Sequence, residues 1–403
     1  RAPHADTPVP TYTEGMFTPY TVPTFPSSGI SSPQPGRVGL DTTFGPGFLF
    51  SSDDDRFSLA IHYESQVDGR AWHESVQIPG NGGVVLPRQR IFFTGNITRP
   101  IEYELAVNRG IDGNVNLLNA ILNFHFDDRF QVRVGRAFTP FTYDQYSVSN
   151  YWLIAPERSV FTINLSPNRQ FGVMAWGYLF DKRFDYAAGF FNGSRNSFEN
   201  TNNNLDFGGY VNARPLQNAD FWPAIQFLNM GASITAGEQD QQPVPRFFRS
   251  GVNSPNSATP GSGNLPFLAL NPSVREQGDR MHGAVHLANF HKGLSVIGEW
   301  QYGYGHYVDT AAGRSQVQVP FSGFYVGAAY LLTGEHVRRR ARVTPLRSVS
   351  PSRKGDPRGI GAWELAARVA QLRIGDEVFQ AGLSDPQIWS NSVYTTDLGV
   401  NWY

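Results

Sequence analysis

The chain has 403 residues, with 33 Lys and Arg against 34 Asp and Glu, no cysteine, 41 glycines, 28 prolines and 14% aromatic residues. No apolar run approaches the roughly 20 residues of a membrane-spanning helix. A net charge of −1 gives no basic footprint for nucleic acid, and the lack of cysteine excludes disulfide scaffolds and thiolate metal sites. Length alone allows two or three domains of roughly 150 residues, or one large all-β unit.

Residues 1–36 hold eight prolines among Thr and Ser. Such a stretch buries too little apolar surface to offset the entropy lost on ordering it. It reads as an extended linker; a tail with no role fits the composition equally well. The chain opens on Arg1 without a charged and then apolar leader, so a signal peptide is expected to have been removed.

From Phe57 onward the sequence alternates. Phe57, Leu59, Ile61, Tyr63 and Val67 interleave with Ser58, His62, Glu64, Gln66 and Asp68. Ile101, Tyr103, Leu105 and Val107 do the same with Glu102, Glu104 and Asn108, as do Phe130, Val132 and Val134 with Gln131 and Arg133. A period of two marks a strand with one apolar and one polar face. Further strands are predicted near 87–97, 118–126, 170–180, 183–192, 206–214, 225–235, 281–290, 294–303, 321–333, 360–373 and 393–403, making fourteen in all. Short connections carry turn residues, as at 98–100, 127–128, 181–183 and 291–293, while long ones run over about 69–86, 137–169, 193–205, 236–280 and 304–320. Short turns at one end and long loops at the other describe an up-and-down sheet.

Strands of about 10 residues with alternating faces match a transmembrane barrel of the outer-membrane type. A soluble sandwich uses similar strands, but its polar face usually carries more Lys and Glu; here that face is rich in Asn, Gln, Ser, Gly and Arg. Trp300, Tyr302, Tyr304, Tyr307, Trp402 and Tyr403 lie near predicted strand ends, where interfacial girdles place aromatics.

Seven segments in order carry a resemblance: RQRIFFTGNITRPIEYELAVN at 88–108, FQVRVGRAFTPF at 130–141, ERSVF at 157–161, FGVMAWGYLFDKRFDYAAGFFNG at 171–193, YLLTGE at 330–335, GAWELAARV at 361–369 and TTDLGVNWY at 395–403. Together they resemble the phosphate-selective porin O and P family. The resemblance covers about 57–403 and implies a sixteen-stranded outer-membrane porin, usually trimeric, with loops folded into the lumen. It also implies two strands after the final NWY, so closing strands are expected beyond Tyr403; an aromatic end acting as an insertion signal is the competing account.

The loop 137–169 lies where this family places its constriction. Arg158 and Arg169 flank it, and Arg133 and Arg136 lead into it. Arg133 shares parity with Gln131 and is expected to face the lumen; Arg136 has the opposite parity and is expected to enter the loop. Arginine at a constriction offers an anion a bidentate partner whose charge does not titrate away. The competing reading is that Arg158 pairs with Glu157 or another carboxylate to pin the loop. Arg88 and Arg90 are inward by parity and are expected to pair across strands with Glu102 and Glu104.

The family also folds a loop near 236–280 inward and lines it with arginines, for which Arg246 and Arg249 are the candidates here. Two are few for a ladder, and Phe138 stands where relatives often carry Lys, so a general or weakly anion-preferring pore is expected rather than strict phosphate selectivity. The basic run at 336–347 breaks the short-turn pattern: it enters the lumen, covers an anionic surface, hides a strand or, most often for such runs, is simply solvated. His282 and His286 are four residues apart, about 13 Å on a strand and too far to share a metal. No nucleophile elbow, P-loop or HExxH occurs.

The sequence therefore predicts an all-β, transmembrane, antiparallel up-and-down β-barrel over 37–403, sixteen strands expected and about fourteen visible, after a periplasmic linker at 1–36. The expected function is a non-enzymatic outer-membrane porin, homotrimeric and without cofactor, passing small hydrophilic solutes or anions and contacting outer-membrane lipid. The alternative is a structural barrel with a loop-plugged lumen.

Overall fold

The computed structural model describes residues 39–403 except 44–46, 53, 55, 72–82, 99, 111–112, 197, 201, 218, 220, 251–265, 312, 314 and 351–357. The proline-rich segment and Arg99 lie outside the described residues. The strands are β1 (Gly39–Thr43), β2 (Gly47–Ser51), β3 (Ser58–Arg70), β4 (Gly83–Thr98), β5 (Ile101–Gly110), β6 (Val115–Asp127), β7 (Phe130–Phe138), β8 (Arg169–Leu179) and β9 (Phe184–Phe191). They continue as β10 (Asp206–Ala213), β11 (Asn229–Gln241), β12 (Phe247–Arg249), β13 (Pro266–Ala269), β14 (Val274–His291), β15 (Leu294–Asp309), β16 (Val317–Leu331), β17 (Trp363–Ile374) and β18 (Ser392–Trp402). Two short helices, α1 (Val160–Leu165) and α2 (Glu377–Gln380), lie in loops.

Sixteen strands form one antiparallel sheet in which neighbours follow the order of the chain, β11 pairing with β14; β12 and β13 form a separate hairpin. This is the architecture of an outer-membrane β-barrel. The sixteen strands expected are present, and the two that alternation did not show are β1 and β2, which lie upstream of Phe57. At five residues each, they are too short for alternation to stand out.

Alternation sets the two faces. On β17, Glu364, Ala366, Arg368, Ala370, Leu372 and Ile374 are buried, while Trp363, Leu365 and Val369 face out. Val326 and Val369, register partners on β16 and β17, are 49% and 47% exposed. An outer surface of this kind suits lipid. At the short-turn rim, the Tyr103 and Tyr186 hydroxyls donate to the carbonyls of Ser58 (3.1 Å) and Arg129 (2.8 Å), and the Trp363 and Trp402 indoles both donate to the Ile360 carbonyl. Such rings are amphipathic and favour the membrane boundary. Trp300 and Tyr302 face out, whereas Tyr307 shares the parity of Glu299 and is buried inside.

The inner face is divided. From β3 to β8 it presents polar groups, among them Glu64, Arg90, Glu104, Asn119, Gln131 and Arg133. From β14 to β17 it carries Phe290, Ile297, Val319, Phe321, Leu372 and Ile374, part of one apolar cluster shared with residues of the inward loops.

Long connections fill the interior. The segment 236–280 is a loop only at 242–273 and contains the β12–β13 hairpin, because β11 and β14 run longer than alternation suggested. That hairpin interlocks with the loop after β17: Asn271 N–H donates to the Leu383 carbonyl (2.9 Å) and the Ser384 hydroxyl to the Ala269 carbonyl (2.7 Å). The basic run after β16 is not simply solvated. Val337, Arg340 and Val343 are buried, and no strand occurs among the described residues of that connection.

Candidate pore and constriction

The loop 139–168 enters the barrel between β7 and β8 and is held at both ends and in the middle. Thr142, with φ of 61°, turns the chain inward, and its N–H donates to the Ser233 hydroxyl (3.0 Å). The next two N–H groups, of Tyr143 and Asp144, donate to the Glu299 carboxylate on β15 (2.9 and 3.3 Å). Ser159 caps α1 with its hydroxyl, and its own N–H donates to the Asp144 carboxylate (2.8 Å). Farther along, Arg88 on β4 pairs with Glu157 (2.5 Å), and Arg368 on β17 donates to the Glu157 carbonyl (2.7 Å). Phe161 of α1 packs edge-on against His282, which also meets Phe141 and Phe321.

The six candidate arginines do different things. Arg158 points back into its own loop: its guanidinium donates to the Asp144 carbonyl, the Val148 carbonyl (3.0 Å) and the Asn150 side chain (2.6 Å). Burial draws it down to about 10, which leaves it charged at neutral pH. Glu157 pairs with Arg88 rather than with Arg158, whose carboxylate contact is Asp144 at 4.0 Å. Arg136 follows Gly135, whose φ of 121° redirects the chain, and donates to the carbonyls of Leu117, Arg169 and Asn196 while lying over the Phe198 ring (4.2 Å). It ties the 192–205 loop to the rim.

Arg169 donates to Asn119 (2.6 Å) and lies 3.7 Å over Phe138, which serves here as a platform for the guanidinium. Arg246 donates to the Leu270 carbonyl (3.2 Å) within the hairpin. The backbone of Arg249 is clasped by the Asn164 side chain, joining the hairpin to α1. Arg133 differs from the others. It is 4% exposed, lies 4.9 Å over the Trp176 ring, and its Nε and Nη2 have no hydrogen-bond partner among the described residues. Glu104 lies within electrostatic reach of both Arg133 and Arg169.

The expected pairing of Arg88 and Arg90 with Glu102 and Glu104 is not what forms. Arg90 pairs with Glu64 on the other neighbouring strand (3.1 Å), and Arg88 with the loop; Glu104 instead accepts from Asn119, and Glu102 meets Asn123 and His125. Parity fixes the face of a side chain but not which of its two neighbouring strands it turns toward.

The sequence profile of the phosphate-selective porin O and P family matches residues 68–403. The chain belongs to that family. Porin O of Pseudomonas aeruginosa is 32% identical over 81 residues, which is 20% of this chain and 18% of the relative. Among solved structures, a loop-deletion mutant of OmpT from Vibrio cholerae is 11% identical, with 86% of this chain and 89% of that chain covered and a TM-score of 0.46. The anion-selective porin from Comamonas acidovorans is 11% identical, with 85% and 98% covered and a TM-score of 0.41. Membership of the porin O and P family places the barrel in the bacterial outer membrane.

Several inward arginines of this family member were not among the candidates. Arg368 was legible by parity, since it alternates with Val369 and shares the face of Glu364. Arg195, which donates to the Ile163 and Asn164 carbonyls at the end of α1, comes from an irregular loop and has no periodic signal. Arg280 belongs to β14, where it pairs with Asp206 (2.7 Å) and Glu276 (3.4 Å). His282 and His286 both face inward but do not converge: His286 meets Asn212 (3.1 Å) and stacks on Tyr210.

Proposed function

We propose that the protein is a porin that passes small hydrophilic solutes by passive diffusion, with a preference for anions set at Arg133. The observation that carries the preference is the buried Arg133 guanidinium on the polar wall, whose Nε and Nη2 have no hydrogen-bond partner among the described residues. A buried cation with free N–H donors favours a transient anion over a cation. The chain acts as a channel rather than an enzyme, as its family does. Assembly as a homotrimer, a periplasmic N-terminus and a linker role for residues 1–36 belong to the same proposal. Purified protein in planar bilayers is expected to give stepwise conductances and a reversal potential on the anion side in a KCl gradient. A silent, correctly folded barrel overturns this reading.

A second reading, a structural barrel with a plugged lumen, draws on the interior itself. Inward groups as polar as Arg90, Gln170, Asp185, Gln301 and Glu364 are all under 3% exposed. Absence of conductance in every variant that loosens the inward loops would favour it.

A further inference from the structure

Connections at the two ends of the barrel alternate. The loop 139–168 enters from the long-loop end, whereas the segment after β16 enters from the end that holds the turns 128–129, 180–183 and 292–293. The two meet inside. Arg340, 7% exposed, donates from Nε to the Trp152 carbonyl (2.8 Å) and from Nη2 to the Leu153 carbonyl (3.3 Å), both in the opposite loop. The same guanidinium pairs with Glu364 on β17 at 2.5 and 3.2 Å and reaches the Tyr403 hydroxyl at 3.5 Å. Glu364 is itself fully buried and fixed by Asn401 and Tyr403, both at 2.9 Å.

The segment carrying Arg340 is closed on itself. The Glu335 carboxylate accepts the Leu346 N–H (3.0 Å), pulling the two ends of 335–346 together, and the Val337 N–H donates to the Lys292 carbonyl (2.7 Å) at the rim. The result is a compact lobe clasped at its base, with Arg340 at the inner end and Val337 and Val343 as its buried apolar contacts, each 9% exposed. A clasped lobe moves as a unit more readily than it unravels, since its internal bonds survive the movement.

We propose that the lobe 335–346 is a gate on the short-turn side of the pore, latched by Arg340 to Glu364 and to the tip of the 139–168 loop. Closed, it joins the inward elements of both ends into one stopper. Released, it swings toward the short-turn rim about its Glu335–Leu346 clasp and frees the loop tip. Arg340 suits a latch because its planar fork grips a carboxylate with two N–H groups while the remaining donors reach carbonyls. This inference rests on the channel reading above.

The test uses the full chain, refolded and reconstituted in planar bilayers, with folding of each variant checked by heat-modifiable gel mobility. Arg340→Ala and Glu364→Gln are each expected to raise the open fraction about tenfold or more, the change that loss of one charge-assisted bond produces. Because the chain has no cysteine, Val343→Cys gives a second readout: its reaction with a maleimide is slow in the latched protein and about tenfold faster when Arg340→Ala is added. A conducting wild type with an unchanged open fraction in both latch variants, or equal labelling rates, overturns the gate and leaves the channel intact. No conductance in any variant, including deletion of 336–345, overturns both.

Discussion

Glu299 on the barrel wall accepts the main-chain N–H groups of both Tyr143 and Asp144, at 2.9 and 3.3 Å, and is 3% exposed. One carboxylate thus satisfies two successive donors where the inward loop begins, in a place that water does not reach. Glu299→Ala is expected to undock this end of the loop, at a cost of about 1–3 kcal/mol for the loss of two hydrogen bonds to a buried carboxyl group. Limited proteolysis should then cut within 139–168 while the strands stay resistant. Glu299→Gln keeps one good acceptor and is expected to show a smaller effect.

Arg158 and Arg133 separate holding from selecting. Arg158→Ala removes bonds to Val148 and Asn150 and is expected to make conductance noisy without reversing ion preference. Arg133→Gln removes a buried charge whose Nε and Nη2 have no hydrogen-bond partner among the described residues. It is expected to move the reversal potential in a KCl gradient toward the cation side, through an interaction of about 1–3 kcal/mol with a passing anion. An unchanged reversal potential would remove Arg133 from the selectivity site.

Val326 and Val369 face each other across β16 and β17 on the outer wall. Arginine at either position is expected to cost about 2–4 kcal/mol in a bilayer, the depth-dependent penalty near the midplane. Urea unfolding from lipid vesicles measures it. A neutral outcome at both sites would mean that this face does not contact lipid.

Gly135 has a φ of 121°, and a Cβ there would overlap the Ala120 carbonyl oxygen. Gly135→Ala is expected to destabilise the barrel by about 1–3 kcal/mol through backbone strain and steric overlap, and to misdirect Arg136. Loss of Arg136 from the Asn196 carbonyl should show as faster cleavage in the 192–205 loop.

The wall was legible and its filling only in part. Alternation found every barrel strand from β3 onward, because exposed apolar side chains alternate with inward ones over ten or more residues in most of them. It missed β1 and β2, which are too short to show a period. It also set the faces of Arg133 and Arg88 correctly. It could not show that Arg88 reaches a loop residue 69 positions away or that Arg90 turns to Glu64 rather than toward β5. Nor could it place Arg340, because a basic run in an aperiodic segment has no face until something folds around it. The side chains that decide the pore are positioned by contacts distant in sequence, and periodicity reports only local structure.

The meander has a consequence for assembly. Every hydrogen-bonded ladder of the main sheet joins consecutive strands apart from the β11–β14 step, which spans only the intervening hairpin. The contacts that fix the interior instead bridge 156 residues from Tyr143 to Glu299 and 211 from Glu157 to Arg368. Local pairings close first because they cost the least chain entropy. The wall can therefore form hairpin by hairpin, while the loop cannot dock until strands from the far end of the chain are present. Folding should leave a stage in which the barrel has its circumference but not its contents: a wide, wet tube that narrows last.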